Sequence, residues 1–283
     1  MKDKNKVELY IEYDNSLAES PYYDPINKVL SWIDVNKGLL ILSDSRGKTK
    51  IVDFKEKIGC AIPLKGSKGF LVCGTTNLYI YEDGTIKPIC DLTNELDSSQ
   101  RCNDAKVDKM GRLWFSSMVD DGIHAPEGKL YCYTNRQLVC MDTDLKLGNG
   151  ICWNKKNTKM YLVDSIAHAI YVYDYDLDTG NISNRRILCD IYDGTPDGMI
   201  IDKDENLWVA IWGGARIDVR SCKTGLLKKS YDVPTLNVTS LAYNKDDSNI
   251  IITTAKSHDN YGGNIFELKT DAKFDDFEYA RLD

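Results

Sequence analysis

The chain has 283 residues and a formal net charge of −7. This acidic balance argues against a nucleic-acid partner, because binding a phosphate backbone requires clustered lysine and arginine. No apolar run is long enough to span a membrane, so no membrane partner is expected. The charged segment Met1–Lys6 lacks the apolar core of a secretory signal, and nine cysteines without a Cys-x-x-Cys pair indicate buried thiols in a reducing compartment. These features predict a cytoplasmic protein.

Apolar segments of strand type recur at spacings of roughly 41 to 47 residues. They begin at Val29, Phe70, Leu113, Met160, Leu207 and Ile250. A second strand follows each of them after a short turn, and these second strands begin at Leu39, Leu78, Leu130, Ala169, Arg216 and Asn264. A period of this length with several strands per repeat is typical of a propeller blade. The sequence therefore predicts an all-β fold, a six-bladed β-propeller, as a single domain over residues 1–283.

The two ends of the chain also have strand character. Val7–Tyr13 alternates between apolar and polar residues, and Phe277–Arg281 is a second candidate strand. Strands from both termini are expected to pair and to close the ring, since closure removes an exposed sheet edge.

Four short polar signatures precede the apolar strands, each by about ten or eleven residues. They are Glu19-Ser20-Pro21, Asn103-Asp104, Asn149-Gly150 and Asp197-Gly198. Two carboxylates and two amides therefore occupy equivalent positions in four repeats, and they would converge if the repeats surround an axis. Converging oxygen donors indicate a hard divalent cation. Taken singly, an Asn-Gly or Asp-Gly pair also suits an ordinary turn before a strand.

Several longer motifs resemble the regucalcin, gluconolactonase and luciferin-regenerating enzyme family. They occur in the family's order along nearly the whole chain, and they are Ala18–Pro21 (AESP), Arg101–Arg112 (RCNDAKVDKMGR), Gly148–Trp153 (GNGICW), Asp174–Arg186 (DYDLDTGNISNRR), Thr195–Met199 (TPDGM) and Asn206–Ala210 (NLWVA). Each motif alone is weak, but six of them in order are specific.

The resemblance implies one divalent metal ion in the central tunnel, with Glu19, Asn149 and Asp197 as its protein ligands. Ca²⁺ is the expected ion, with Zn²⁺, Mg²⁺ and Mn²⁺ as alternatives. Arg101 and Asn103 match substrate-binding positions of the family. Asp121 falls where several relatives carry a substrate-binding Glu, and Asp120 is the alternative if the register differs by one residue.

The function implied by the resemblance is metal-dependent hydrolysis of a small-molecule sugar lactone or of a related small lactone or ester. Asp197 is expected to serve both as a metal ligand and as the catalytic base that takes a proton from water. Ala105 stands where the family usually has Gly, and Asp121 is shorter than Glu, so the substrate preference is expected to differ from that of a typical gluconolactonase. The alternative is a non-catalytic, calcium-binding regulatory protein of the regucalcin type. The sequence leaves the oligomeric state open.

Overall fold

The computed structural model describes residues 6–120, 128–258 and 261–281. Within these ranges the regular structure consists of β-strands, and no helix long and apolar enough to cross a membrane is found there. Asp121, one of the predicted substrate residues, lies outside the described residues.

The first twelve strands are β1 (Val7–Ile11), β2 (Ala18–Asp24), β3 (Val29–Asp34), β4 (Leu39–Asp44), β5 (Thr49–Asp53), β6 (Ile58–Pro63), β7 (Phe70–Gly74), β8 (Asn77–Glu82), β9 (Thr85–Asp91), β10 (Gln100–Val107), β11 (Leu113–Val119) and β12 (Gly128–Thr134). The remaining strands are β13 (Gln137–Leu145), β14 (Gly148–Trp153), β15 (Lys159–Asp164), β16 (Ala169–Tyr175), β17 (Ile182–Asp190), β18 (Thr195–Ile201), β19 (Asn206–Trp212), β20 (Arg216–Ser221), β21 (Leu227–Asp232), β22 (Asn237–Asn244), β23 (Asn249–Ala255) and β24 (Ile265–Lys269).

Consecutive strands pair antiparallel into sheets. Four sheets have four strands each: β2–β5, β6–β9, β10–β13 and β14–β17. The other strands form one eight-stranded sheet, in which β18–β21 and the group β22, β23, β24 and β1 are joined through the single pair Trp212 and Asn237. The six predicted repeats are thus arranged in five hydrogen-bonded sheets instead of six, because the end of β19 comes close enough to the start of β22 to pair with it.

The first strand of each repeat lies at the centre of the molecule. Strands β2, β6, β10, β14, β18 and β22 contact one another in this order, and β22 contacts β2 again. This closed ring places one edge of every repeat around a common axis, which is the arrangement of a β-propeller. The hydrophobic core lies between neighbouring sheets: one cluster, for example, joins Trp114 and Leu130 to Leu162 and Tyr173 of the next sheet.

The strands predicted from the apolar repeat are confirmed in β3, β7, β11, β15, β19 and β23, and the second strand of each repeat is confirmed as well. The amino-terminal strand is confirmed as β1, which pairs antiparallel with β24. The carboxy-terminal strand was predicted wrongly. Ala280 makes one isolated parallel bridge with Leu64, because this segment is held by ring contacts such as Phe277 on Tyr22 instead of a regular ladder.

A buried carboxylate fastens the sheet β10–β13 to the next sheet. Asp108 is fully buried and accepts hydrogen bonds from Arg112 Nε at 2.6 Å, Tyr175 Oη at 2.7 Å and Trp114 Nε1 at 3.0 Å. Arg112 also donates to the backbone carbonyl of Leu177. Tyr175 is the last residue of β16 in the neighbouring sheet, and Leu177 comes shortly after it. This network therefore fixes two repeats relative to each other, close to the ring of innermost strands.

Candidate metal and substrate site

The polar signatures lie inside the innermost strands, at β-bulges, and not in turns before strands. The pairing register shifts between Glu19 and Tyr22 in β2, between Cys102 and Ala105 in β10, between Gly148 and Ile151 in β14, and between Pro196 and Met199 in β18. A bulge inserts an unpaired residue and turns its side chain out of the normal alternation. The turn interpretation is therefore wrong, and the bulges explain why equivalent side chains of four strands can point to one place.

The glycines of these signatures are required by close approach of neighbouring innermost strands. A Cβ on Gly150 would lie 2.7 Å from the backbone nitrogen of Met199. A Cβ on Gly198 would lie 2.7 Å from Cα of Ser240. Both distances are shorter than real Cβ contacts, so the Asn-Gly and Asp-Gly pairs reflect crowding around the ring and not turn chemistry.

The predicted residues of four repeats converge on a single cavity at one end of the ring. This cavity has a volume of about 260 Å³, and its polar lining includes Glu19, Arg101, Asn103, Asn149 and Asp197. Asn149 and Asp197 are buried, whereas Glu19 and Asn103 are partly exposed to the cavity. The structure thus brings these five predicted site residues together, whereas Asp120, the alternative substrate residue, lies outside the cavity lining.

A chain of hydrogen bonds fixes the two amides. Asn103 Nδ2 donates to Asn149 Oδ1 at 2.8 Å and to the carbonyl of Gly148 at 2.9 Å. Asn149 Nδ2 donates to Ser165 Oγ at 2.8 Å, and Ser165 in turn donates to the carbonyl of Pro196 at 2.6 Å. Both amide nitrogens are used by protein acceptors. Asn149 Oδ1 accepts one hydrogen bond, from Asn103, and keeps a second lone pair that can face a cation.

Two carboxylates of the cavity each have one oxygen that no hydrogen bond satisfies. Asp197 Oδ1 and Asp104 Oδ2 are buried without a hydrogen-bond partner. Burial raises the pKa of Glu19 well above its usual value, and the neighbouring charges of Asp197 and Asp104 raise it further. Burial and the charge of Asp104 likewise raise the pKa of Asp197. Crowded, desolvated carboxylates with free oxygens are electrostatically costly without a cation, so the residues present fit a divalent ion bound by oxygen donors.

The donor set combines acids with amides. In the described ranges, no group of three or more His, Cys, Asp or Glu side chains is arranged to bind a metal ion without other donors. At this cavity the three predicted ligands are two carboxylates and one amide, Glu19, Asp197 and Asn149. An all-oxygen set of this kind suits Ca²⁺, Mg²⁺ or Mn²⁺ better than a thiolate- or imidazole-preferring metal.

Arg101 is positioned by Asp120. Arg101 Nε donates to Asp120 Oδ1 at 2.8 Å, and its Nη1 donates to Asn103 Oδ1 at 3.0 Å and to the carbonyl of Cys102 at 2.9 Å. Asp120 is also paired with Lys57 at 2.6 Å. The guanidinium is therefore buried and held at the cavity wall, and Asp120 acts in this structure as its partner.

Sequence reasoning assigned no role to the apolar wall of the cavity or to Ser165. The wall consists of Leu17, Val35, Met118, Leu147, Ile166 and Trp212. These residues lie at strand ends and in the connections between strands, where no repeat pattern marks them. Asp104 was part of a recognised signature, but its buried, unpartnered oxygen could not be foreseen, because it depends on how neighbouring strands pack.

The raised carboxyl pKa values predict how the metal-free protein responds to pH. A carboxyl whose pKa is raised by folding stabilises the folded state at acidic pH, and this stabilisation is lost as pH rises above its unfolded value toward the folded pKa. In the presence of a chelator, the wild type should therefore lose stability relative to Glu19→Gln as pH is raised from about 4. Urea unfolding of both proteins across this pH range measures the difference. A difference that does not change with pH would contradict the burial of these charges.

The chain can now be compared with known proteins. Residues 17–256 match the model of the SMP-30/gluconolactonase/LRE-like region, which covers well over half of the chain. The chain belongs to this family. Among relatives in the family, a putative sugar lactone lactonase, YvrE, of Bacillus subtilis is 30% identical over 84% of this chain and 83% of its own length. Regucalcin of Danio rerio is 28% identical over 88% of this chain and 86% of its own.

Solved structures agree with this assignment. A luciferin-regenerating enzyme superposes with a TM-score of 0.92 at 26% identity, covering 98% of this chain and 99% of that chain. The family resemblance predicted from the motifs is thereby confirmed, as is the β-propeller class of the fold.

Proposed function

We propose that the protein is a divalent-metal-dependent lactonase that hydrolyses a sugar lactone or a related small lactone or ester. The observation that carries the proposal is the cluster of buried carboxylates around one cavity, with Asp197 Oδ1 left without a partner. Membership in a family that includes a relative named as a sugar lactone lactonase supports it.

In this proposal Glu19, Asn149 and Asp197 hold one divalent ion, with Ca²⁺ as the first choice. When bound, the ion would polarise the lactone carbonyl and make an attacking water more acidic. The free oxygen of Asp197 accepts a proton from that water. Arg101, oriented by Asp120, and Asn103 position the substrate at the cavity wall. Asp121 remains the proposed additional substrate residue.

The finer architecture is part of the same proposal. We count the eight-stranded sheet as two blades, because one residue pair alone joins its two halves. Together with the closed ring of six innermost strands, this gives a six-bladed propeller formed as a single domain by the whole chain. The nine cysteines are free thiols, six of them buried, which supports a reducing, cytoplasmic location.

The second candidate function is non-catalytic calcium binding. It is favoured by the same carboxylate cluster, which would bind an ion whether or not a reaction follows, and by relatives named regucalcin. Hydrolysis of a panel of sugar and simple lactones, measured with added metal and with chelator, separates the two functions. Metal-dependent turnover supports the lactonase. Tight metal binding without turnover of any lactone supports the binding protein.

The ligand assignment predicts metal contents of purified variants. Glu19→Gln, Asn149→Ala and Asp197→Asn should each lower the bound metal, because each removes one of three oxygen donors. Asp120→Asn is the matched control: it changes a nearby carboxylate that is committed to Arg101 and Lys57, so it should keep the metal. Elemental analysis after dialysis against trace metal checks this. Wild-type metal content in all three ligand variants would exclude the assignment.

A further inference from the structure

A second, larger cavity lies at the opposite end of the ring. It has a volume of about 610 Å³. It is lined by the parts of the innermost strands that follow, along the chain, the bulges with the metal-site residues. Ile151, Met199 and Leu241 form a buried apolar part of its lining. A volume of this size is in the range of sites that bind drug-sized molecules.

One wall of this cavity is the carboxy-terminal segment, which is fixed in place. Phe277 packs edge-on against Tyr22 with ring centroids 5.0 Å apart. Tyr279 Oη donates to Asp24 at 2.9 Å, and the backbone nitrogen of Ala280 donates to the carbonyl of Pro63 at 3.0 Å. The segment thus borders the opening without filling it, and it contributes aromatic surface to the cavity.

The tryptophan in this cavity differs from the other well-packed tryptophans. The indole nitrogens of Trp32, Trp114 and Trp208 each donate to a side-chain oxygen at 2.9–3.0 Å. The indole nitrogen of Trp153 is buried and has no partner in the described part of the chain. A buried donor left unpaired costs free energy. A small movement of the partly exposed Trp153 ring would bring this donor to a ligand's acceptor atom and recover that cost.

A lysine adds a positive charge to the same cavity. Lys106, on β10, is partly buried, and its ammonium lies 4.7 Å from the ring centroid of Tyr22. No carboxylate of the described residues forms an ion pair with it; Asp104, two positions earlier, feels its charge only through space. Of the four acids that line the cavity, Asp275 and Asp276 are paired with Lys203 and Lys245, Asp202 accepts a hydrogen bond from Trp208, and Glu278 lies near the charges of Arg281, Lys109 and Lys65. Lys106 therefore remains available to a negatively charged acceptor.

We propose that this cavity is a second binding site, distinct from the metal site, for a flat aromatic molecule that carries one carboxylate. The partly exposed rings of Trp153 and Phe277 receive the aromatic body. Lys106 pairs with the carboxylate, and the N–H of Trp153 donates to an acceptor oxygen. The site does not depend on lactone hydrolysis.

The test is a calorimetric titration of metal-loaded protein with 2-naphthoate and, in parallel, with neutral 2-naphthylmethanol. The naphthoate should bind more tightly. Lys106→Met should weaken its binding by about tenfold or more, the loss expected for one charge-assisted hydrogen bond. Trp153→Phe keeps the ring and removes the donor, so it should weaken binding by a few-fold. Lys155→Met, at the same cavity, is the matched control and should bind as the wild type does.

Three results would overturn the proposal. The first is equal binding of naphthoate and naphthylmethanol. The second is unchanged naphthoate binding in both Lys106→Met and Trp153→Phe, which would leave Lys106 only as a neighbour of Asp104. The third is binding that is abolished by Asp197→Asn but not by Lys106→Met, because the naphthoate would then occupy the metal end of the ring. Trp153→Phe keeps the test decisive if Lys106→Met does not fold.

Discussion

Asp197→Asn should reduce lactone hydrolysis to the background rate. Under the proposed mechanism, the substitution removes a negative charge from the metal ligands and also the carboxylate oxygen that accepts a proton. Asn preserves the size of the side chain, so the fold should be kept, and the loss should appear as activity and metal content with little change in circular dichroism. Near wild-type turnover of every lactone that the wild type hydrolyses would refute the mechanism.

Arg101→Ala provides the contrast to this variant. Arg101 touches the amide of Asn103 but none of the three proposed ligands, so the metal should remain bound. The value of kcat/KM should fall on the order of ten- to a thousand-fold, because one charge-assisted hydrogen bond contributes roughly 1.5–3 kcal/mol and Asn103 loses its support as well. If Arg101→Ala lost the metal together with activity, Arg101 would belong to the metal site and not to substrate binding.

Asp108→Ala should cause a large loss of stability. It removes the acceptor shared by Arg112, Trp114 and Tyr175 and leaves a largely buried guanidinium without its carboxylate. Breaking a buried ion pair from one side costs about 3–5 kcal/mol of the free energy of unfolding. The urea midpoint of the metal-loaded protein measures this.

The matched control is Asp174→Ala, which removes an exposed carboxylate paired with Lys159 and Arg186. Exposed ion pairs contribute little to the free energy of unfolding, so the urea midpoint of this variant should remain close to that of the wild type. If the two variants unfolded at the same urea concentration, the contact between the two sheets at Asp108 would not be a major source of stability.

The sequence predicted the strands that bury apolar side chains better than the strands that build the site. Val29–Asp34 and Asn206–Trp212 are apolar and β-branched or aromatic, so their period was visible. The innermost strands carry polar residues and glycine, and their bulges break the alternation by which strands are recognised. The convergence of Glu19, Asn149 and Asp197 was nevertheless predictable, because these residues occupy equivalent positions in their repeats and match the family motifs.

Features that depend on contacts between different strands were not visible in the sequence. The partnership of Arg101 with Asp120 joins the start of one strand to the end of the next, and no motif spacing encodes it. The pairing of Trp212 with Asn237, which joins two four-stranded groups, likewise arises because the two segments lie close together in the folded chain. The carboxy-terminal segment was mistaken for a strand because its alternating aromatic residues pack on Tyr22 instead of following a ladder.

The pairing of β1 with β24 has a consequence for how the protein is made. Val7 pairs with Leu268, so β1 leaves the ribosome about 260 residues before its partner strand is synthesised. At about 5–20 residues per second, this delay is roughly 13–50 s. During that time β1 is an unpaired edge that could associate with other chains. The pairing that closes the ring therefore cannot form before β24 has been made, and the nascent chain keeps an open sheet edge until Lys269 has emerged.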